Sequence, residues 1–171
     1  MVKRKGSCCQ VREALREKCK VRVLFVCLGN ICRSPAAEEV FRQTVKGAGE
    51  DERWEIDSAG IGNWHQGQLP DPRMRQHASR RGLSLTHRAR QVCTSDFYDF
   101  DLIVAMDDSN YDDLRSLSPT EETDRKIVRM ADFLPDGVDH VPDPYYSGAE
   151  GFELVLDLLE EGAPVIMECG E

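Results

Sequence analysis

One segment constrains this chain more than any other: an apolar run that ends in a cysteine and passes through a short loop into a helix. It reads Val23-Leu24-Phe25-Val26-Cys27-Leu28-Gly29-Asn30-Ile31-Cys32-Arg33-Ser34-Pro35. Val21 to Val26 has the pattern of a buried strand. Ser34 is suited to cap the following helix, and Pro35 to its first turn, where a missing N–H costs nothing. Ala37, Val40, Phe41, Thr44 and Val45 then recur at helical spacing, which predicts a helix to about Lys46. A loop between a strand end and a helix start turns its unpaired amides toward one spot, and the helix dipole there favours an anion. Gly29 lets the backbone approach a ligand closely, and Asn30 tolerates the left-handed conformation that a tight anion loop needs.

Cys27 and Arg33 give this loop its chemistry. A thiol held among such amides favours the thiolate, which is the nucleophilic form. Arg33 can grip a phosphate with two parallel hydrogen bonds. Nucleophile, amide cradle and oxyanion clamp together suit attack on phosphorus. The plainer alternative is a buried structural cysteine at a strand end.

Beyond the loop, strand and helix patterns alternate. Strands are expected at Trp54–Asp57, Leu102–Met106 and Lys126–Met130. Helices are expected from Pro70 to Arg81, stopped by Gly82, from Asp108 to Leu117, and from Gly151 to Glu161. The order predicts a single α/β domain, an open parallel sheet with helices on both faces, whose ligands bind at the carboxyl ends of the strands. Cys27 and Asp107 both fall at such ends. The expected organisation is a basic extension over residues 1–20, a catalytic domain over 21–161 and a tail over 162–171, because Gly162 and Pro164 should break the last helix.

A chain of 171 residues with 40% hydrophobic and 31% charged residues can bury one substantial core. Its net charge of −9 argues against a general nucleic-acid binder. An anionic substrate must then be drawn in locally, by the loop and Arg33. No apolar stretch approaches the length of an integral membrane segment. The cysteines, at 8, 9, 19, 27, 32, 93 and 169, are odd in number and irregularly spaced. No C-x-x-C pair or zinc-like quartet occurs, so reduced thiols in a cytoplasmic protein are the simplest expectation, and no metal is expected. Lys3, Arg4, Lys5, Arg12, Arg16, Lys18 and Lys20 make the N-terminal extension basic. It reads as a mobile or short helical segment, with organelle targeting or acylation at Cys8 and Cys9 left open.

Five segments, in order, resemble the low-molecular-weight protein tyrosine phosphatases. They are Val26 through Ser34, Asp57-Ser58-Ala59-Gly60, Thr86-His87-Arg88-Ala89-Arg90-Gln91, Ala105 through Asn110, and Asp143-Pro144-Tyr145-Tyr146. The resemblance implies an enzyme that hydrolyses protein phosphotyrosine or small aryl phosphates, releases inorganic phosphate and needs no cofactor. Cys27 would attack phosphorus to form a phosphocysteine. The amides of Leu28, Gly29, Asn30, Ile31, Cys32 and Arg33 would hold the phosphate. Asp143, stiffened by Pro142 and Pro144, would protonate the leaving oxygen and then activate water. The same residue also reads as an acidic turn, since Asp-Pro is a common turn signal.

The resemblance further implies a hydrogen-bond network of Asn30, Ser34, Ser58 and His87 beneath the loop, with Ser34 donating to the thiolate and Asp107 orienting His87. Trp64, Tyr145 and Tyr146 would wall the cleft and sandwich a phenyl ring. Cys32 would trap oxidised Cys27 as a disulfide. Sister activities remain open at this point. Related arsenate reductases usually have Ser where Ile31 stands and need two more downstream cysteines; related arginine phosphatases usually have Thr there. A non-catalytic phosphotyrosine-binding module would need neither Cys27 nor Asp143.

Overall fold

The computed structural model describes residues 6–171, with side chains from Cys8 onward. Lys3, Arg4 and Lys5 of the basic extension lie outside the described residues. The elements run α1 (Gly6–Leu15), β1 (Val21–Cys27), α2 (Arg33–Gly47), β2 (Trp54–Gly60), α3 (Pro72–Ser79), α4 (Thr94–Asp99), β3 (Leu102–Ala105), α5 (Asp108–Leu117), α6 (Glu121–Asp124), β4 (Ile127–Arg129), a 3-10 turn at Met130–Phe133, and α7 (Ala149–Cys169).

Among the described residues the strands form one parallel sheet in the order β2-β1-β3-β4. Past Arg22 the inner strand β1 is apolar from Val23 to Cys27 because both its faces are covered there. Val23 and Phe25 belong to the core shared with α2 and α7, where Phe41, Phe152, Val155 and Leu159 are buried. Leu24 and Val26 point the other way, toward Phe97, Phe100 and Leu114 beside α4 and α5. This two-layered burial places Cys27 at the carboxyl end of the middle of the sheet, opposite Gly60 of β2. Asp107 follows β3 at the same end, since Ala105 pairs with Val26.

The last helix differs from expectation. It continues unbroken through Gly162 and Pro164 to Cys169, so residues 162–169 are helix, not tail. Packing overrides propensity here. Gly162 lets the helix lie against Met130 and Leu134, where a Cβ would meet the Met130 Cε at 2.3 Å. Ala163, Ile166 and Cys169 are buried in the main core, which offsets the hydrogen bond lost at Pro164.

The cysteines also differ from the expectation of reduced thiols. Cys8 of α1 and Cys169 at the end of α7 form a disulfide, with Cα atoms 5.6 Å apart. The bond and the buried Val11 and Leu15 fix α1 against the domain. Cys9, Cys19, Cys27, Cys32 and Cys93 are free thiols. No helix among the described residues is long and apolar enough to cross a membrane.

Candidate active site

The loop from Cys27 to Arg33 is held from outside by its carbonyls, which leaves its amides for a ligand. The carbonyls of Cys27, Leu28 and Ile31 accept from the amides of Ile61 (3.0 Å), Gly62 (2.9 Å) and Asp71 (2.8 Å). Among the described residues, none of the amides from Leu28 to Cys32 donates to a protein acceptor. They join the first amides of α2 as a crown of donors suited to an oxyanion. Tight packing around the loop fixes this shape. Asn30 sits at φ 58°, and a Cβ on Gly60 would lie 3.0 Å from the Gly29 carbonyl carbon and the Leu28 oxygen. Only glycine lets the end of β2 come so close.

A chain of hydrogen bonds runs beneath the loop from a buried carboxylate. Glu38 can only accept, so the Ser58 hydroxyl donates to its Oε1 at 2.9 Å. Ser58 Oγ therefore accepts from Asn30 Nδ2 at 3.0 Å. The Asn30 amide is oriented by its other end, where Oδ1 accepts from the Arg90 amide (3.0 Å) and meets His87 Nε2 (2.9 Å). Nδ2 also donates to Ser34 Oγ at 2.8 Å. Ser34 Oγ in turn lies 3.0 Å from Cys27 Sγ, and its hydroxyl also reaches the Ala59 carbonyl at 3.4 Å. The chain of bonds ends with the Ser34 hydroxyl held against the sulfur.

Two expectations need correction. The N-cap of α2 is Cys32, not Ser34, which lies within the first turn; its hydroxyl is committed to the network instead of to a cap. Asp107 does not orient His87. Its Oδ1 caps α5 by accepting from the Asn110 amide, and its Oδ2 accepts from Arg33 Nη1 at 2.6 Å. His87 is oriented by Glu38 and Asp57, whose oxygens lie 3.2 and 3.5 Å from Nδ1.

Glu38, Asp57 and His87 bring possible metal-ligand atoms within 4.8 Å of one another. Those atoms already face protein donors from Ser58, Arg42 and Arg90, so a cation would have to displace several hydrogen bonds. Burial pushes the Glu38 carboxyl up, against the opposing pull of His87, Arg42 and Ser58.

Arg33 is 2% exposed. Burial alone would lower its pKa, but the neighbouring Cys27, Asp107 and Asp143 outweigh that and leave it raised. Besides Asp107, the guanidinium donates to the Val141 carbonyl at 3.1 Å and lies 3.6 Å from Asp143 Oδ2. Cys32, 4% exposed, has its thiol pushed far up by burial first and then by Asp71, Cys27 and Asp143. It is a neutral thiol beside the charged cluster.

Cys27, Arg33 and Asp143 open onto one cavity of about 210 Å³, walled by Trp64, Tyr145 and Tyr146 together with Leu28, Gly29, Ile31 and Cys32. Asn30, Ser34, Ser58 and His87 lie beneath the loop, outside the cavity lining. Sequence reasoning missed His65, which also lines the cavity, and Glu38, which anchors the network. Glu38 carried a faint signal: it is a charged residue among the apolar positions of α2. His65 carried none, because it lies in an irregular loop.

A thiol at a strand end, a crown of free amides and a buried arginine define an α/β protein of the phosphate-loop, cysteine-dependent type. Residues 22–169 match the family model described as low molecular weight phosphotyrosine protein phosphatase. The chain is 46% identical over 134 residues to a protein of that name from Schizosaccharomyces pombe, covering 77% of this chain and 85% of the relative. A crystal structure of a protein tyrosine phosphatase from Entamoeba histolytica, with Hepes in its active site, superposes with a TM-score of 0.85 at 43% identity, covering 87% of this chain and 96% of that one. A Drosophila arginine phosphatase structure also shares the fold, with a TM-score of 0.79 at 34% identity, covering 85% and 95% of the two chains. The chain belongs to the low-molecular-weight phosphotyrosine protein phosphatase family, whose members are cysteine-dependent phosphatases.

Proposed function

We propose that the chain hydrolyses phosphotyrosine in proteins, and small aryl phosphates as well, through a phosphocysteine formed on Cys27. The phosphate dianion binds the amides from Leu28 to Arg33 and the Arg33 guanidinium. Asp107 and the Val141 carbonyl hold that guanidinium in register. The Cys27 sulfur attacks phosphorus in line, the P–O bond to the leaving group breaks, and Asp143 gives its proton to the departing oxygen. Asp143 then takes a proton from water, which hydrolyses the P–S bond and releases inorganic phosphate. The transition state spreads charge over its equatorial oxygens, so fixed donors supply most of the stabilisation. The steps call on no cofactor.

The observation that carries the reading is the convergence of Cys27, Arg33 and Asp143 on one cavity with aromatic walls. Trp64 is 65% exposed and Tyr146 95% exposed. Large rings left in water at a cleft mouth suit an aryl group that would cover them. Phosphoarginine and arsenate are the competing substrates. Ile31, which lines the cavity, is bulkier than the Thr that the related arginine phosphatases usually have there. Of the downstream cysteines that an arsenate relay would need, Cys169 is bonded to Cys8 at the end of α7.

A cytoplasmic setting is part of the proposal, and the Cys8–Cys169 bond counts against it, since cytosolic reductants keep most thiols reduced. Phosphate release from matched phosphotyrosine and phosphoarginine peptides, alongside thiol-dependent arsenate reduction, tests the assignment. Turnover of the phosphotyrosine peptide well above both others supports it; preference for either of the others moves the function to that sister activity.

A further inference from the structure

Arg73 links the two loops that carry the reacting groups. The segment from Leu134 to Gly148 contains turns but no helix or strand, and the Asp143 side chain it presents is 43% exposed. On its N-terminal side this segment is anchored twice: the Val141 amide donates to the Met106 carbonyl at 2.9 Å, and Arg33 donates to the Val141 carbonyl. Past Asp143, the Tyr145 amide donates to Asp143 Oδ1 at 3.1 Å, so residue 145 orients the carboxylate. The Tyr145 carbonyl, in turn, accepts from Arg73 Nη2 at 3.0 Å.

The Arg73 guanidinium lies 5.4 Å from the Tyr145 ring centroid and 4.9 Å from that of the buried Phe152. Asp71 fixes it with a two-point contact, Oδ1 to Nε at 3.1 Å and Oδ2 to Nη2 at 2.9 Å. The Asp71 amide is bonded to the Ile31 carbonyl of the phosphate loop.

We propose that Arg73, set by Asp71, is a positioning residue for the proton donor: it ties the peptide that orients Asp143 to the loop that holds the phosphate. The inference rests on the reading of Asp143 as the general acid. Arg73 touches neither substrate nor sulfur; it keeps the carboxyl within hydrogen-bond reach of the leaving oxygen. A general acid loses effect when displaced by even an ångström, and the loss is greatest for leaving groups that most need a proton. A merely structural arginine would slow all substrates alike.

The test is kcat/KM, which reports the steps through P–O cleavage, for 2,4-dinitrophenyl phosphate and phenyl phosphate. The enzymes are wild type, Arg73→Ala, Asp71→Asn, Asp143→Ala and the Arg73→Ala/Asp143→Ala double variant. Arg73→Ala should lose about 10-fold or more on phenyl phosphate and less than about threefold on the dinitrophenyl ester. Asp71 also caps α3, its Oδ1 accepting from the Arg73 amide at 2.8 Å; Asp71→Asn, which retains an oxygen for that cap, should show the same selectivity more weakly. In the double variant, Arg73→Ala should add nothing to the phenyl phosphate loss. Equal losses on both esters, or a full further loss in the Asp143→Ala background, overturn the inference. Equal losses on both esters from Asp143→Ala itself would instead remove the general-acid reading and the inference with it.

Discussion

Ser34 Oγ lies 3.0 Å from Cys27 Sγ, and on its other side it accepts from Asn30 Nδ2 at 2.8 Å. Through Asn30 and Ser58 this contact connects to Glu38, so the nucleophile's surroundings depend on residues that never touch substrate. A hydrogen bond to an ionised group contributes about 1.5–3 kcal/mol. Ser34→Ala should therefore slow alkylation of Cys27 by iodoacetate at neutral pH and reduce kcat by about 10- to 100-fold. Mass mapping of the alkylated peptide separates Cys27 from the exposed thiols. Unchanged rates on both measures would mean that the serine does not serve the sulfur.

The Cys8–Cys169 bond closes the chain over a sequence separation of 161 residues. Closing so long a loop removes conformational freedom from the unfolded chain, and bonds of this kind typically contribute about 2–4 kcal/mol. Cys8→Ser should lower the unfolding free energy by that amount, while activity at room temperature persists, because the bond is remote from the phosphate loop. Thiol titration of the unfolded, unreduced protein should find the five thiols Cys9, Cys19, Cys27, Cys32 and Cys93. A count of seven would refute the bond.

Asp96 gives the fold an acid-sensitive tie. Burial would raise its carboxyl, but the Arg90 guanidinium and the Cys93 amide outweigh that and hold it below its ordinary value of 3.8. A carboxyl whose folded-state pKa is depressed binds fewer protons in the folded than in the unfolded chain. Its contribution is present above about pH 3.8 and is lost as pH falls through the lower folded value. Asp96→Asn should thus be less stable than wild type at pH 7, with the gap closing below pH 3.8. Urea unfolding at several pH values checks this. A gap independent of pH would show that packing, not charge, is what the substitution removes.

The central elements were legible in the sequence because local and tertiary signals agree there. The apolar run of β1, the Gly-Asn pair and the Arg-Ser-Pro entry to α2 each specify the loop, and helix α5 begins at the N-cap that Asp107 supplies. Legibility failed where distant packing decided the outcome. Pro164 forbids a helix locally, yet the burial of Ala163 and Ile166 carries α7 past it. The Cys8–Cys169 pairing joins residues at opposite ends of the chain, so spacing alone could not reveal it. Asp107 reads as a partner for a histidine only until the turn after β3 sets it against Arg33. The Asp71–Arg73 link was hidden for the same reason: its recipient, the Tyr145 carbonyl, is a backbone group with no sequence signature.

The most direct measurement is phosphate release from a phosphotyrosine peptide in metal-free buffer by wild type, Cys27→Ser and Asp143→Ala, with rapid quenching to capture the phosphoenzyme. The proposed mechanism predicts a wild-type enzyme that carries phosphate on Cys27 during turnover. Cys27→Ser should neither trap phosphate nor turn over, and Asp143→Ala should be slower by about 100-fold or more on this ester. Full activity in Cys27→Ser, or trapped phosphate on any residue other than Cys27, would contradict it.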